Sequence, residues 1–196
     1  MSESTKRIAR GGLVVALIIQ LAVILLALVE TPAPVLYTVV RAAALLGYVG
    51  LFWLIVSSEY VRQMRALLGR VYLKVHHPLS VITWVLIAAH PLGFALFVSD
   101  ARVLLPVFWP LQQFLQLAGR LALYLFALAT VGALVRRSLK RSWRYLHKLN
   151  YVAFHLVFIH AWLIGTDLGN PLVKALWLVM AVIVLVVAVR KGIGAR

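Results

Sequence analysis

Residues 13 to 29, LVVALIIQLAVILLALV, form an apolar run interrupted by a single polar side chain, Gln20. About 20 such residues, each advancing a helix by about 1.5 Å, match the hydrocarbon thickness of a bilayer. Comparable runs recur at 34 to 56, 76 to 98, 118 to 135, 145 to 165 and 172 to 190. In lipid every backbone N–H and C=O must find a partner within the protein, so single runs of this length span as helices. The expected fold is all-α, an integral membrane bundle of six transmembrane helices. The first run is longer than a signal-peptide core and no small-residue cleavage site follows it, so it reads as a retained helix.

Charge sets the expected topology. Twenty Lys and Arg stand against five Asp and Glu, a net charge of +15 that would suit nucleic acid if it formed one patch. The cations instead flank the apolar runs: Lys6, Arg7 and Arg10, then Arg62, Arg65, Arg70 and Lys74, then Arg136, Arg137, Lys140, Arg141 and Arg144, then Arg190, Lys191 and Arg196. The alternate connections carry Glu30, Asp100 with Arg102, and Asp167. The positive-inside rule then makes both termini cytoplasmic, and the scattered cations give no nucleic acid partner. The basic segment 136 to 144 is in addition a candidate for docking an acidic protein or lipid phosphate. The stretch SDARVLLPVFWPLQQFLQL, 99 to 117, mixes prolines and aromatic rings and suits a loop or short interfacial helix at the outer surface.

With 64% hydrophobic and 13% charged residues, the 196 positions leave no length for a separate soluble catalytic domain, and the whole chain, 1 to 196, reads as one transmembrane domain. The absence of cysteine excludes disulfides, Fe–S clusters, thiolate-ligated haem and covalent haem attachment. No Gly-rich phosphate loop is present, so a built-in nucleotide site is not expected.

All six histidines fall on two runs: His76, His77 and His90 on the third, His147, His155 and His160 on the fifth. Ionisable side chains inside a bilayer are costly and mark functional positions, and imidazole is a common axial ligand of haem iron. His76 and His90, 14 residues apart, return to within about 40 degrees of one helix face and lie about 21 Å apart along the axis. His147 and His160, 13 apart, differ by about 140 degrees on an ideal helix, so a bend or bulge is needed to bring them to one stack. Depth pairs His76 with His147 at the inner side and His90 with His160 farther out.

The segments HHPLSVITWVLIAAHP, 76 to 91, and WRYLHKLNYVAFHLVFIH, 143 to 160, resemble the ferric-reductase-like transmembrane domain family, which includes the haem-binding subunit of the bacterial periplasmic methionine sulfoxide reductase system and the membrane part of NADPH oxidases. The resemblance covers about 36 to 190, and its most specific piece is the W-x-x-L-H-K-L-x-Y opening of the fifth run. It implies b-type haem, two per chain, with His76, His90, His147 and His160 as axial ligands of the iron. His77 stands where a basic residue often follows the first ligand, which leaves the inner position open between His76 and His77. The flavin and NADPH domains of the larger relatives are absent, so the donor is open between a flavin reductase and a quinol, with FMN or a quinone as a candidate second cofactor. A periplasmic reductase, a ferric chelate or oxygen is the implied acceptor.

His155, five residues from His160 and unmatched on the third run, reads as a hydrogen-bonded packing residue. Arg41 either snorkels to the surface or holds a haem propionate. The leading function is a transmembrane b-type cytochrome, the electron-transfer subunit of an oxidoreductase. A histidine-lined metal transporter is the alternative from another class, weakened because Glu30, Glu59, Asp100 and Asp167 all fall at the ends of runs. A non-catalytic assembly subunit is the third.

Overall fold

The computed structural model describes residues 2–69 and 71–193, and leaves the side chains at 71, 73 and 191–193 undescribed. Arg70 and Arg196, and the side chain of Lys191, therefore lie outside what is described here. In chain order the helices are α1 (Glu3–Glu30), α2 (Val35–Glu59), α3 (Val61–Leu68), α4 (Val71–Val98), α5 (Leu111–Gln116), α6 (Ala118–Leu134), α7 (Arg136–Leu139), α8 (Trp143–His147), α9 (Leu149–Ile164) and α10 (Pro171–Ile193). No strand occurs among the described residues, and the architecture is all-helical.

Four helical stretches, Glu3–Glu30, Val35–Glu59, Lys74–Val98 and Pro171–Arg190, are long and apolar enough to cross a membrane, and they make this chain a membrane protein. The fourth and fifth apolar runs appear as shorter helices, α6 with 17 residues and α9 with 16, about 24 to 26 Å of helix each. Each is preceded by a short helix, α5 before α6 and α8 before α9, so apolar length present in the sequence is divided at Leu117 and at Lys148.

The division at Lys148 bears on the phase of the fifth run. Lys148 N–H is shared between Arg144 O and Tyr145 O, both at 3.2 Å, and Tyr151 N–H donates to Lys148 O at 3.0 Å, so i to i−3 bonds enter the ladder here. A turn tightened in this way rotates about 120 degrees per residue in place of about 100, which adds rotation between His147 and His160 and reduces their mismatch.

The centre of the bundle is α2. Val40, Ala43, Leu45, Tyr48, Val49, Leu51, Phe52 and Ile55 are buried around its whole circumference. Its most extensive partner is α4, and the approach is close because Gly50 has no side chain: a Cβ there would lie 2.4 Å from Thr83 Oγ1. On the other side, Tyr48 stacks between Phe154 of α9 (4.4 Å between ring centres) and Trp177 of α10 (4.7 Å). Gln20, the polar residue of the first run, is buried and accepts from Trp53 Nε1 at 2.7 Å, tying α1 to α2. Trp84 Nε1 likewise donates to Thr130 Oγ1 at 2.8 Å, tying α4 to α6. Two such bonds give these polar groups partners away from water. Elsewhere α1 and α10 turn apolar side chains outward, among them Ile18, Leu25, Val179 and Leu185, as lipid-facing helices do.

The segment after α4 contains a tight turn at Ala101–Leu104 and the short helix α5, matching the loop or short helix expected for 99 to 117. Asp100 and Arg102 are paired there through Arg102 Nε at 3.0 Å from Asp100 Oδ1. That hydrogen bond, with one from the Arg102 N–H, holds the Asp100 carboxyl below the usual carboxylate range.

Candidate functional site

Two imidazoles face each other across the bundle. His90 of α4 and His160 of α9 have ring centres 6.5 Å apart, with their planes at 64 degrees. A single metal between two imidazoles, at about 2.0 Å from each nitrogen and about 1.1 Å more to each ring centre, requires about 6.2 Å. Each ring is oriented through its far nitrogen: His90 Nδ1 lies 3.2 Å from Val40 O of α2, and His160 Nδ1 lies 2.6 Å from Gln116 O at the end of α5. An Nδ1–H that donates to a carbonyl leaves the Nε2 lone pair free, which is the arrangement metal-ligating histidines adopt.

The sequence explains why these rings can sit there. Pro91 follows His90 and lacks the N–H that would bond back to Ile87 O, so α4 loses one helical bond beside the site. Gly119 of α6 lies against His160, and a Cβ on it would be 2.9 Å from Cδ2 and 3.1 Å from Cγ of that ring. Gly119→Ala therefore forces the ring or α6 to shift, at a cost of about 1 to 3 kcal/mol. Thermal unfolding in detergent should show a lowered midpoint for Gly119→Ala and none for Gly12→Ala, where a Cβ meets nothing within 4 Å.

His90 and His160 line a cavity of ≈ 290 Å³ whose walls also carry Arg41, Tyr48, Arg120, Asp167 and Trp177. The structure gives Arg41 neither a surface position nor a free guanidinium. It is 5% exposed, with Nε at 3.1 and 3.2 Å from the two Asp167 oxygens, and Nη2 also paired with Asp167. Its remaining donors reach Thr31 O (2.5 Å), Ala27 O (3.2 Å) and the Thr31 hydroxyl. Arg41 thus joins α1, α2 and the segment before α10 on one side of the cavity.

Sequence reading missed Arg120. It is half-buried near the start of α6, lines the same cavity and lies within electrostatic range of His160. The signal for it was available, since Arg120 is a lone cation at the end of the fourth run that is otherwise poor in them. The carbonyl of Gln116 was not foreseeable, because it depends on how α5 folds back beside α9.

A second polar group lies toward the end where α2 and α9 meet α8. His76 is half-buried and within electrostatic range of His147, whereas the adjacent His77 is exposed. His147 Nδ1 is 3.4 Å from Asn150 Nδ2, and Tyr151 donates its hydroxyl hydrogen to Glu59. His76 Nδ1 is buried without a hydrogen-bond partner among the described residues. The backbone support that orients His90 and His160 is therefore not matched at His76. His155 Nδ1 lies 2.8 Å from Tyr151 O and its Nε2 3.3 Å from Ala181 O, so both ring nitrogens face carbonyls.

The cationic connections are solvent-facing: Arg62, Arg65, Arg136, Arg137, Lys140, Arg141 and Arg144 are all exposed. Arg10 Nε donates to Leu67 O at 2.8 Å, bringing the start of α1 to α3. Among the described residues no three His, Cys, Asp or Glu side chains are grouped to hold a bare metal ion. One opposed pair of imidazoles, His90 with His160, is brought face to face among the described residues. No protein-family model, curated protein or solved structure matches the chain.

Proposed function

We propose that this chain is a transmembrane b-type cytochrome, a haem subunit that carries electrons across a bacterial inner membrane. The observation that carries the reading is the His90 and His160 pair, opposed at 6.5 Å with each Nδ1 against a backbone carbonyl. The motifs at 76 to 91 and 143 to 160 support membership of the ferric-reductase-like transmembrane family. Haem supplies a reversible one-electron exchange at iron, and the protein supplies ligands and a low-dielectric slot.

His90 and His160 hold the outer haem from two helices, while Val40 O and Gln116 O fix the ring orientations and raise ligand basicity. Tyr48 and Trp177, stacked on each other at 4.7 Å, add aromatic surface to the wall of the slot. His76 and His147 hold a second, inner haem. In this reading α5 with α6 and α8 with α9 complete six crossings, and both termini face the cytoplasm. Electrons enter at the inner face from a quinol or a flavin reductase and leave at the outer face to a partner reductase, a ferric chelate or oxygen. FMN or a quinone is the candidate second cofactor on the donor side.

The test is the visible spectrum of the protein purified after expression with ample haem supply. The expected result is a low-spin spectrum with split bands on reduction, from haem that acidic organic solvent extracts, at two per chain by pyridine haemochrome. A colourless protein overturns the reading. One haem per chain retains the His90 and His160 site and removes the inner one.

A further inference from the structure

The cavity between His90 and His160 has an unequal charge balance. Of the two arginines on its wall, Arg41 is neutralised by Asp167. Arg102, in the neighbouring outer segment, is paired with Asp100. Arg120 forms no such ion pair among the described residues: its Nη1 donates to two neutral carbonyls, Leu105 O at 3.1 Å and Arg102 O at 3.4 Å, and Asp100, which lies within its electrostatic range, is paired with Arg102 instead. A half-buried guanidinium with five donors and only carbonyl acceptors retains unused capacity for an anion.

The rest of the wall points the same way. Tyr48 Oη and Trp177 Nε1 are buried, with residue exposures of 3% and 2%, and neither has a hydrogen-bond partner among the described residues. Trp177 Nε1 can only donate and Tyr48 Oη can donate as well as accept, so with the Arg120 guanidinium this wall offers several donors to an occupant. Such a lining selects an occupant rich in acceptor oxygens.

We propose that Arg120 is the anion anchor of this cavity and recognises an anionic group that accepts hydrogen bonds. The anion is either a propionate of the porphyrin held between His90 and His160 or a small anionic electron acceptor entering from the outer face. The assignment rests on the haem reading above for its setting, and it places the role first considered for Arg41 on a residue that forms no ion pair among the described residues.

Wild type, Arg120→Lys and Arg120→Gln are compared in two arms. In the first, metal-free protoporphyrin IX and its dimethyl ester are titrated against tryptophan fluorescence, a readout that needs no iron ligation. In the second, the reduced haem protein is re-oxidised by ferricyanide, an anion, or by hexaammineruthenium(III), a cation, each taking one electron. A charge-assisted contact corresponds to about tenfold to about a hundredfold. If the porphyrin supplies the carboxylate, Arg120→Gln weakens protoporphyrin IX by that factor and leaves the dimethyl ester unchanged. If the acceptor is the anion, Arg120→Gln slows ferricyanide by that factor and spares hexaammineruthenium(III). Arg120→Lys retains part of either effect.

Variants indistinguishable from wild type in both arms overturn the anchor. A wild type with a normal low-spin haem spectrum and no dependence on Arg120 loses the anchor alone. A wild type with Arg120-dependent porphyrin binding and no low-spin haem spectrum loses the axial ligation alone. A wild type that binds neither porphyrin nor haem loses both.

Discussion

His90→Ala is expected to reduce outer-site haem to background, and His160→Ala to do the same, because an iron left with one imidazole loses both affinity and low-spin character. His155→Ala should leave the spectrum intact, since both nitrogens of that ring already face the carbonyls of Tyr151 and Ala181. The ligand role is separated from a folding role by His90→Gly with added imidazole, which should restore the low-spin bands in a cavity that already has His160 oriented by Gln116. Failure of that rescue in a variant with unchanged helicity, or equal haem loss from His155→Ala, would show that another residue binds the iron. At the inner site His76→Ala and His147→Ala should each remove the second haem, and His77→Ala should not, given that His77 is exposed.

The membrane class and the helical character of the two histidine-bearing runs were readable from the sequence because both depend on local composition. Apolar length and period are properties of a segment, and the helices α1, α2, α4 and α10 contain the runs assigned to them. The boundaries moved where short-range geometry intervenes. α4 begins at Val71, ahead of the run at 76, because helical backbone continues through VYLKV, in which Lys74 is the one charged residue. The fifth run is divided at Lys148, a change of turn type that hydropathy does not register.

Partners distant in sequence were the least legible. Arg41 is 126 residues from Asp167, and no pattern within α2 announces that its guanidinium has a buried carboxylate opposite. Asp167 looked like an ordinary end-of-run acid, although it is 8% exposed. Gln20 was the same kind of case in reverse, a polar residue in an apolar run whose reason is Trp53 on the next helix. Pairing of depth was recoverable for His90 with His160, since the count of residues from each run's end suffices. The carbonyls that orient these rings were not, because Val40 and Gln116 offer backbone atoms that any residue there would carry.

The Arg41 and Asp167 pair gives the largest stability effect expected in this chain. Asp167→Ala leaves a guanidinium that is 5% exposed with only Thr31 and Ala27 for partners, an uncompensated charge in a low-dielectric setting. Breaking a buried pair from one side costs about 3 to 5 kcal/mol. Arg41→Leu should cost a similar amount, because it strands the Asp167 carboxylate. The two losses are not additive: replacing both residues by Leu removes the charges together, and a double-mutant cycle should place Arg41→Leu with Asp167→Leu well above either single variant in stability. The measurement is reversible unfolding in detergent by circular dichroism, with porphyrin retention followed in parallel, since both residues wall the cavity. A double variant as unstable as the sum of the singles would show that each side chain acts through separate contacts, Arg41 through the carbonyls at the end of α1 and Asp167 through its own turn before α10.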